Sequence, residues 1–216
     1  MVESVVVTIA PRSGRVRGLT IDLIPCLVSV LAGYLLGSVA SAIVVCRLLR
    51  RPDPRSGGSN NPGATNVLRI AGRDAAAVTL IGDVLKGAIA VAIARLVSPD
   101  PVVWALAGAA AFFGHLYPLY FGFRGGKGVA TALGSLTAAI PWAGALTAAT
   151  WLVVIAAARV SALASLASFA LAPVYVAVVT GSIALVAITL VVSGALVWRH
   201  RSNIRKLLGK PSDGAL

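Results

Sequence analysis

Long apolar runs separated by short polar punctuation dominate this chain, and their lengths predict membrane-crossing helices. The first run covers 21–49, enough for one tilted span. Within it Gly33, Gly37 and Ser41 recur at every fourth residue, a spacing of small residues that lets helices approach closely. A polar stretch, 50–73, leads to a second run at about 75–97, which stops at Ser98-Pro99-Asp100-Pro101. A third run, about 102–120, gives way to a basic, glycine-rich segment at 121–128. No charge falls between Lys127 and Arg159, a stretch that would measure roughly 46 Å as one helix. Pro141 divides it into two shorter helices. From 160 to 198 charge is again absent, nearly 60 Å as one helix against a bilayer core of about 30 Å, so a turn near Thr180-Gly181-Ser182 is required. The expectation is an all-α integral membrane protein of seven transmembrane helices.

Charge orients that bundle. With seven spans, the basic residues of 47–73, Arg124, Lys127, Arg159 and those of 199–210 share one side, while the turns at 98–101, 140–142 and 180–182 contain no Lys or Arg. The positive-inside rule then puts the C-terminus in the cytoplasm and the N-terminus outside. Arg12, Arg15 and Arg17 disagree with this orientation, and Arg95 would lie near the outer end of its helix, where it can snorkel to the interface. Composition agrees with a membrane protein: of 216 residues, 58% are hydrophobic and only 12% charged, with a mean hydropathy of +0.90. The net charge of +12 would suggest nucleic acid in a soluble protein, but here the basic residues flank apolar runs and form no patch with interleaved aromatics. Cys26 and Cys46 lie about 30 Å apart along one expected helix and cannot bridge each other. Residues 1–19 read as a mobile extension, not a cleaved signal, 20–210 as the membrane domain and 211–216 as a tail.

Three polar segments on the expected cytoplasmic side carry the candidate chemistry. The first, 56–69, is rich in Gly, Ser and Asn and ends on Arg69. A plain linker would have the same composition, but glycines also let backbone N–H groups converge on an anion, with Ser59, Thr65 and the asparagines adding neutral hydrogen bonds. The second runs from Gly114-His115 through Pro118 to Arg124-Gly125-Gly126-Lys127-Gly128. It is not the P-loop of nucleotide-binding proteins, because Phe121 and Gly128 occupy positions that need Gly and Ser or Thr. It still offers two cations, flexible backbone and the N-terminus of the next helix. In the third, 198–209, basic residues after a final span are ordinary, yet His200 and Asn203 are three apart and share a face if the helix continues. Asp83 and Lys86 are likewise three apart inside a span, where an acidic residue is costly and often functional. Together Arg69, Arg124, Lys127, His200 and the glycine backbone describe an anion pocket beside an apolar interior, suited to a phosphorylated molecule with or next to a lipid chain.

These segments resemble the acyl-phosphate glycerol-3-phosphate acyltransferases, the PlsY family. The family's first motif matches Gly58 to Arg69, its second Gly114 to Gly128 with continuation to Gly134, and its third Arg199 to Leu207; an Asp-x-x-Lys-Gly element matches Asp83 to Gly87. Asn60 stands where the first motif often has glycine. The resemblance implies a seven-helix fold in a bacterial inner membrane with the site facing the cytoplasm. It also implies transfer of a fatty acyl group from acyl phosphate to the 1-hydroxyl of sn-glycerol 3-phosphate, giving lysophosphatidic acid and phosphate in the first acylation step of phospholipid synthesis. Acyl phosphate is already activated, so no covalent intermediate is needed; the chemistry asks for orientation of two phosphates and stabilisation of developing charge.

On that reading Lys127 and Arg69 bind phosphate, Ser59 orients substrate, and His200 with Asn203 completes the catalytic set, the proton acceptor being either His200 or a substrate phosphate. Asn61, Thr65, Asn66, His115, Arg124, Gly125, Gly126, Gly128 and Arg199 form the surrounding substrate-binding shell. No cofactor or metal is expected, since two separated histidines and few acids offer no cage. The partners expected are the two substrates and membrane lipid, no nucleic acid, and transient docking of an acyl-phosphate-producing enzyme. Acyltransferases that use acyl-CoA or acyl carrier protein carry His-x4-Asp, whereas Tyr120 and Arg205 occupy the fifth position after His115 and His200. The alternative from another class, a transporter of a phosphorylated solute, calls for midmembrane charges and internal repeats.

Overall fold

A computed structural model describes residues 22–209. The extension at 1–19, with Arg12, Arg15 and Arg17, and the tail at 211–216 lie outside the described residues. Among those described, ten α-helices and one short 3-10 turn, Leu119–Phe121, account for all regular structure. The helices are α1 Leu23–Gly37, α2 Ser41–Leu48, α3 Ala64–Ala71, α4 Arg73–Val97, α5 Pro101–Leu116, α6 Val129–Ala139, α7 Pro141–Ala158, α8 Ser161–Thr180, α9 Ile183–Arg199 and α10 Arg201–Leu207.

Local chemistry sets most boundaries. Asp100 caps α5 by accepting a 2.8 Å bond from the Val102 amide, and Pro101 opens that helix where its missing N–H costs nothing. Pro141 opens α7 in the same way, and Gly181, at φ +62, ends α8. Both expected divisions of the charge-free stretches therefore occur. The first run differs from expectation: it breaks at 38–40 into α1 and α2, although 23–48 remain long and apolar enough for one crossing. The polar stretch 50–73 also contains an unexpected short helix, α3.

Five segments have the length and apolarity of a crossing: Leu23–Leu48, Arg73–Val97, Pro101–Phe121, Pro141–Ala158 and Ser161–Thr180. A sixth results if α9 and α10, bent by 59° at His200, count together. At 11 residues, about 16 Å, α6 reaches roughly half of a hydrocarbon core. The chain is thus an all-helical, multi-pass membrane protein by the described residues.

Small residues do the packing that the sequence spacing suggests. Side chains at Gly33 and Gly37 would collide with the Ala107 and Ala111 carbonyls, so α1 lies backbone to backbone on α5. Ser41 serves another neighbour: its hydroxyl sits 3.0 Å from where a β-carbon on Gly82 of α4 would stand. Gly87 and Gly134 bring α4 and α6 together equally tightly. At the loop-bearing end, Val45, Cys46, Val67, Ala71 and Ala75 seat α3 against α2 and α4. Phe112, Leu116, Phe169 and Leu196 form the core among α5, α8 and α9. At the opposite end the Arg95 guanidinium lies 4.4 Å over the Trp104 ring, while the Trp104 indole donates to the Ser98 carbonyl at 2.7 Å. Cys26 and Cys46 are free.

Candidate active site

The first polar loop is built around Asn66, which is 1% exposed. Its Nδ2 donates to the Pro54 and Gly57 carbonyls at 2.8 and 3.0 Å, and its Oδ1 accepts from the Ser59 amide at 2.8 Å. A single amide thus fixes the loop that presents the exposed Ser59. Asn60 has φ +54, a left-handed conformation that Asn adopts more readily than most residues; this explains why it can stand at a glycine position. Arg55 pairs with Asp53 at 2.7 Å, and its hydrogen bonds hold the Asp53 carboxyl below its ordinary range.

The second loop is buried where the first is open. Gly125 and Gly126 are buried, and the Gly126 amide donates to the His115 carbonyl at 3.1 Å. A side chain on Gly125 would strike that carbonyl, and one on Gly126 would strike His115 Nε2. Gly128 has φ +80 and lies over the Phe112 ring, which leaves no room for a β-carbon. Arg199 holds the loop from the other side: Nη2 donates to the Gly125 and Gly126 carbonyls at 2.8 and 2.9 Å, and Nε to Gly126 at 3.1 Å. Its guanidinium also lies 5.7 Å over the Tyr117 ring. The loops meet at Pro62, whose carbonyl oxygen is 3.1 Å from a β-carbon position on Gly126.

Lys127 projects from this loop and donates to Asn203 Oδ1 of α10. Burial, then the positive charges of Arg199, Lys206 and Arg69, pushes its ammonium down to about 8. Four basic side chains thus act on one partly buried position, an arrangement that favours negative charge there. His200, at the α9–α10 junction, is 2% exposed, and its Nδ1 is 2.8 Å from the Leu196 carbonyl. A carbonyl only accepts, so Nδ1 carries the ring proton and Nε2 keeps its lone pair. Burial foremost, with Lys127 and Arg199 nearby, pushes the imidazole down to about 4, against the raising effect of the Leu196 bond. His200 is therefore neutral near pH 7. A polar cavity of about 260 Å³ adjoins, lined by Arg55, Asn60, Pro62, Phe123, Arg124, Gly125 and Arg199.

Lys127, Asn203, His200 and Arg69 are thus brought into one field, with Ser59 and Asn61 on the neighbouring loop. Thr65 points instead toward Ser161, 3.5 Å away, and Asn66 and Arg199 spend their polar atoms on backbone. His115 lies behind the loop, 7% exposed, with its Nδ1 2.8 Å from Lys86 Nζ. Sequence reasoning missed Lys206, whose charge acts on Lys127; basic residues after a last span gave it no distinguishing mark.

Known proteins resemble this chain over most of its length. Residues 27–210 match the family model described as glycerol-3-phosphate acyltransferase. A glycerol-3-phosphate acyltransferase of Halorhodospira halophila (strain DSM 244 / SL1) is 55% identical over 178 residues, covering 82% of this chain and 90% of that protein. One of Thioalkalivibrio sulfidiphilus (strain HL-EbGR7) is 52% identical, covering 83% and 88%. Among solved structures, the glycerol 3-phosphate form of PlsY, an integral membrane glycerol 3-phosphate acyltransferase, superposes with a TM-score of 0.80 at 36% identity. That alignment covers 88% of this chain and 96% of the other. The lysophosphatidic acid form gives 0.76 at 35% identity, over 88% and 95%.

Proposed function

Since this chain belongs to the glycerol-3-phosphate acyltransferase family, we propose that it transfers a fatty acyl group from acyl phosphate to the 1-hydroxyl of sn-glycerol 3-phosphate. The observation that carries this reading is the convergence of Lys127, Arg69, Lys206 and Asn203 on a glycine loop, with a neutral histidine beside them.

The 1-hydroxyl oxygen attacks the acyl carbonyl carbon, the bond from that carbon to the phosphate oxygen breaks, and lysophosphatidic acid and phosphate leave. Lys127, Arg69 and Lys206 hold the phosphates and offset charge on the departing one. Ser59, on its stapled loop, orients substrate by hydrogen bonding, with Asn61 two positions on, and Arg124 borders the adjoining cavity. His200 Nε2 accepts a hydrogen bond from the attacking hydroxyl and so points it at the carbonyl. An imidazole pushed down to about 4 is a weak base. The departing phosphate gains negative charge on its oxygen as the acyl bond breaks, which makes it the better final home for the proton. Asn66, Arg199, His115, Gly125, Gly126 and Gly128 shape the loops.

We further read the seven apolar helical segments as seven crossings of a bacterial inner membrane. The N-terminus lies outside, and the site faces the cytoplasm, where an acyl-phosphate-producing enzyme can dock on the basic face. The test is phosphate release by the purified protein given palmitoyl phosphate and glycerol 3-phosphate. Release that needs both substrates, yields lysophosphatidic acid and falls about a thousandfold or more in Lys127→Ala is expected, since that change removes a charge contact to the transition state. Reaction with acyl-CoA alone would overturn the donor. Inertness toward both donors in a folded preparation would overturn the enzyme reading in favour of solute transport.

A further inference from the structure

Inside the bundle, Asp83 and Lys86 of α4 and His115 of α5 form a cluster whose side chains are 4%, 7% and 6% exposed. Charges within a membrane span are costly, and an apolar substitute of similar shape would pack as well. Close helix association has another source, because Gly87 and Gly134 already bring α4 and α6 into backbone contact and Gly82 lets Ser41 of α2 approach α4. Their geometry points elsewhere. The Lys86 ammonium donates to the Val39 carbonyl at 2.8 Å, lies 2.8 Å from His115 Nδ1 and faces Asp83 Oδ1 at 2.9 Å. Asp83 Oδ1 receives no well-angled hydrogen bond, so its contact with Lys86 is an ion pair that holds the Lys86 side chain in place. His115 Nδ1 faces both the Lys86 ammonium, at 2.8 Å, and Asp83 Oδ1, at 3.4 Å, so one edge of the ring is tied to the pair and Nε2 lies on the other. That Nε2 edge packs directly against Gly126, and the His115 carbonyl takes the Gly126 N–H at 3.1 Å. Lys127 is the next residue.

We propose that Lys86, held by Asp83, is a positioning residue for the acyl transfer: through His115 it fixes the Gly126 backbone and so sets where Lys127 and the glycine loop meet the substrate phosphates. The role in catalysis rests on the function proposed above. The mechanical part does not, so the test reads it without substrate.

Asp83→Asn/Lys86→Met removes both charges together and leaves no orphaned carboxylate. Hydrogen–deuterium exchange of the detergent-purified variant is expected to rise about tenfold or more in the peptide covering 124–128, while 161–180 stays within about twofold. The rate of phosphate release per folded molecule is expected to drop about tenfold alongside. Unchanged exchange in 124–128, or a rise spread evenly over all helices, would overturn the proposal. Gly126→Ala reads the same path from its far end without touching the charges, since its new methyl would strike His115 Nε2. It should give the same loop-limited signature. Normal exchange and rate in Gly126→Ala would overturn the proposal whatever the double variant does. A chain that proved inert toward both substrates would leave the exchange result standing, so the two failures are separable.

Discussion

The two polar loops are both glycine-rich and both lie at the same end of the bundle, yet they are held by opposite means. The loop before α3 is fixed by one neutral amide, Asn66, and keeps Ser59 and Asn60 exposed. The loop before α6 is clamped between a guanidinium and a histidine, and buries Gly125 and Gly126. Under the proposed function, the difference follows from what each presents. A hydroxyl that orients a substrate by hydrogen bonding needs only an ordered backbone. A lysine that must face two phosphates needs its charge aimed, and an aimed charge among other cations has to be held against their repulsion.

Breaking the stronger clamp should have the larger effect. Arg199→Lys keeps the positive charge but replaces a planar fork that reaches two carbonyls with a single ammonium. Phosphate release is expected to fall about a hundredfold in kcat/KM, since a loop misplaced by an ångström costs on that order. A loss under threefold would mean that Arg199 acts by charge and not by holding Gly125 and Gly126.

The next comparison uses pH. Lys127 is charged below its value of about 8 and neutral above it, so anion binding is present on the acid side and lost as pH rises. The alkaline limb of kcat/KM should have its midpoint near 8 and drop about fivefold over the first full pH unit beyond it. Lys127→Arg should carry that limb up out of the range, because guanidinium stays charged. The acid side should show no limb from His200 until near pH 4, where the imidazole gains its proton.

The first loop yields a smaller effect. Asn66→Ala removes both donors and the acceptor that organise 54–59, and should lower kcat/KM about fivefold to tenfold, equivalent to one or two lost hydrogen bonds. The loss should lie in KM, so saturating glycerol 3-phosphate should restore most of the rate, whereas it should not rescue Arg199→Lys. Equal rescue of both would erase the distinction between the loops.

Much of this was legible in the residues, and what was not has a common cause. Pro141 and Gly181 act on their own helices, so the breaks they mark could be read locally. The break at 38–40 could not, since Gly33, Gly37 and Ser41 also suit a continuous helix. A distant partner marks it: Lys86 donates to the Val39 carbonyl there. Likewise Asp83 and Lys86 were readable as a pair from their spacing, but His115, twenty-nine positions on, was not readable as their third member. Arg199 looks like an anion ligand in any sequence. Its actual partners are backbone carbonyls, which carry no residue identity to read. Lys127, His200 and Asn203 could be grouped as candidates because each sits in a dense motif whose residue types have few other uses at a membrane face, and the fold places them side by side.

The smallest expected effect tests the looser loop most directly. Asn60 sits at φ +54 with its amide donating to the Gly57 carbonyl at 3.0 Å, and its side chain borders the polar cavity. If its role is conformational, Asn60→Gly supplies the same backbone with no left-handed penalty, and kcat/KM should stay within about twofold with stability changed by roughly 0.5 kcal/mol or less. Asn60→Val should then cost more in both, because a β-branched residue resists that conformation. A tenfold loss in Asn60→Gly with normal stability would instead give the side chain a direct part in binding, and the first loop would have to be counted with the second as a charge-and-amide site and not as a scaffold for Ser59.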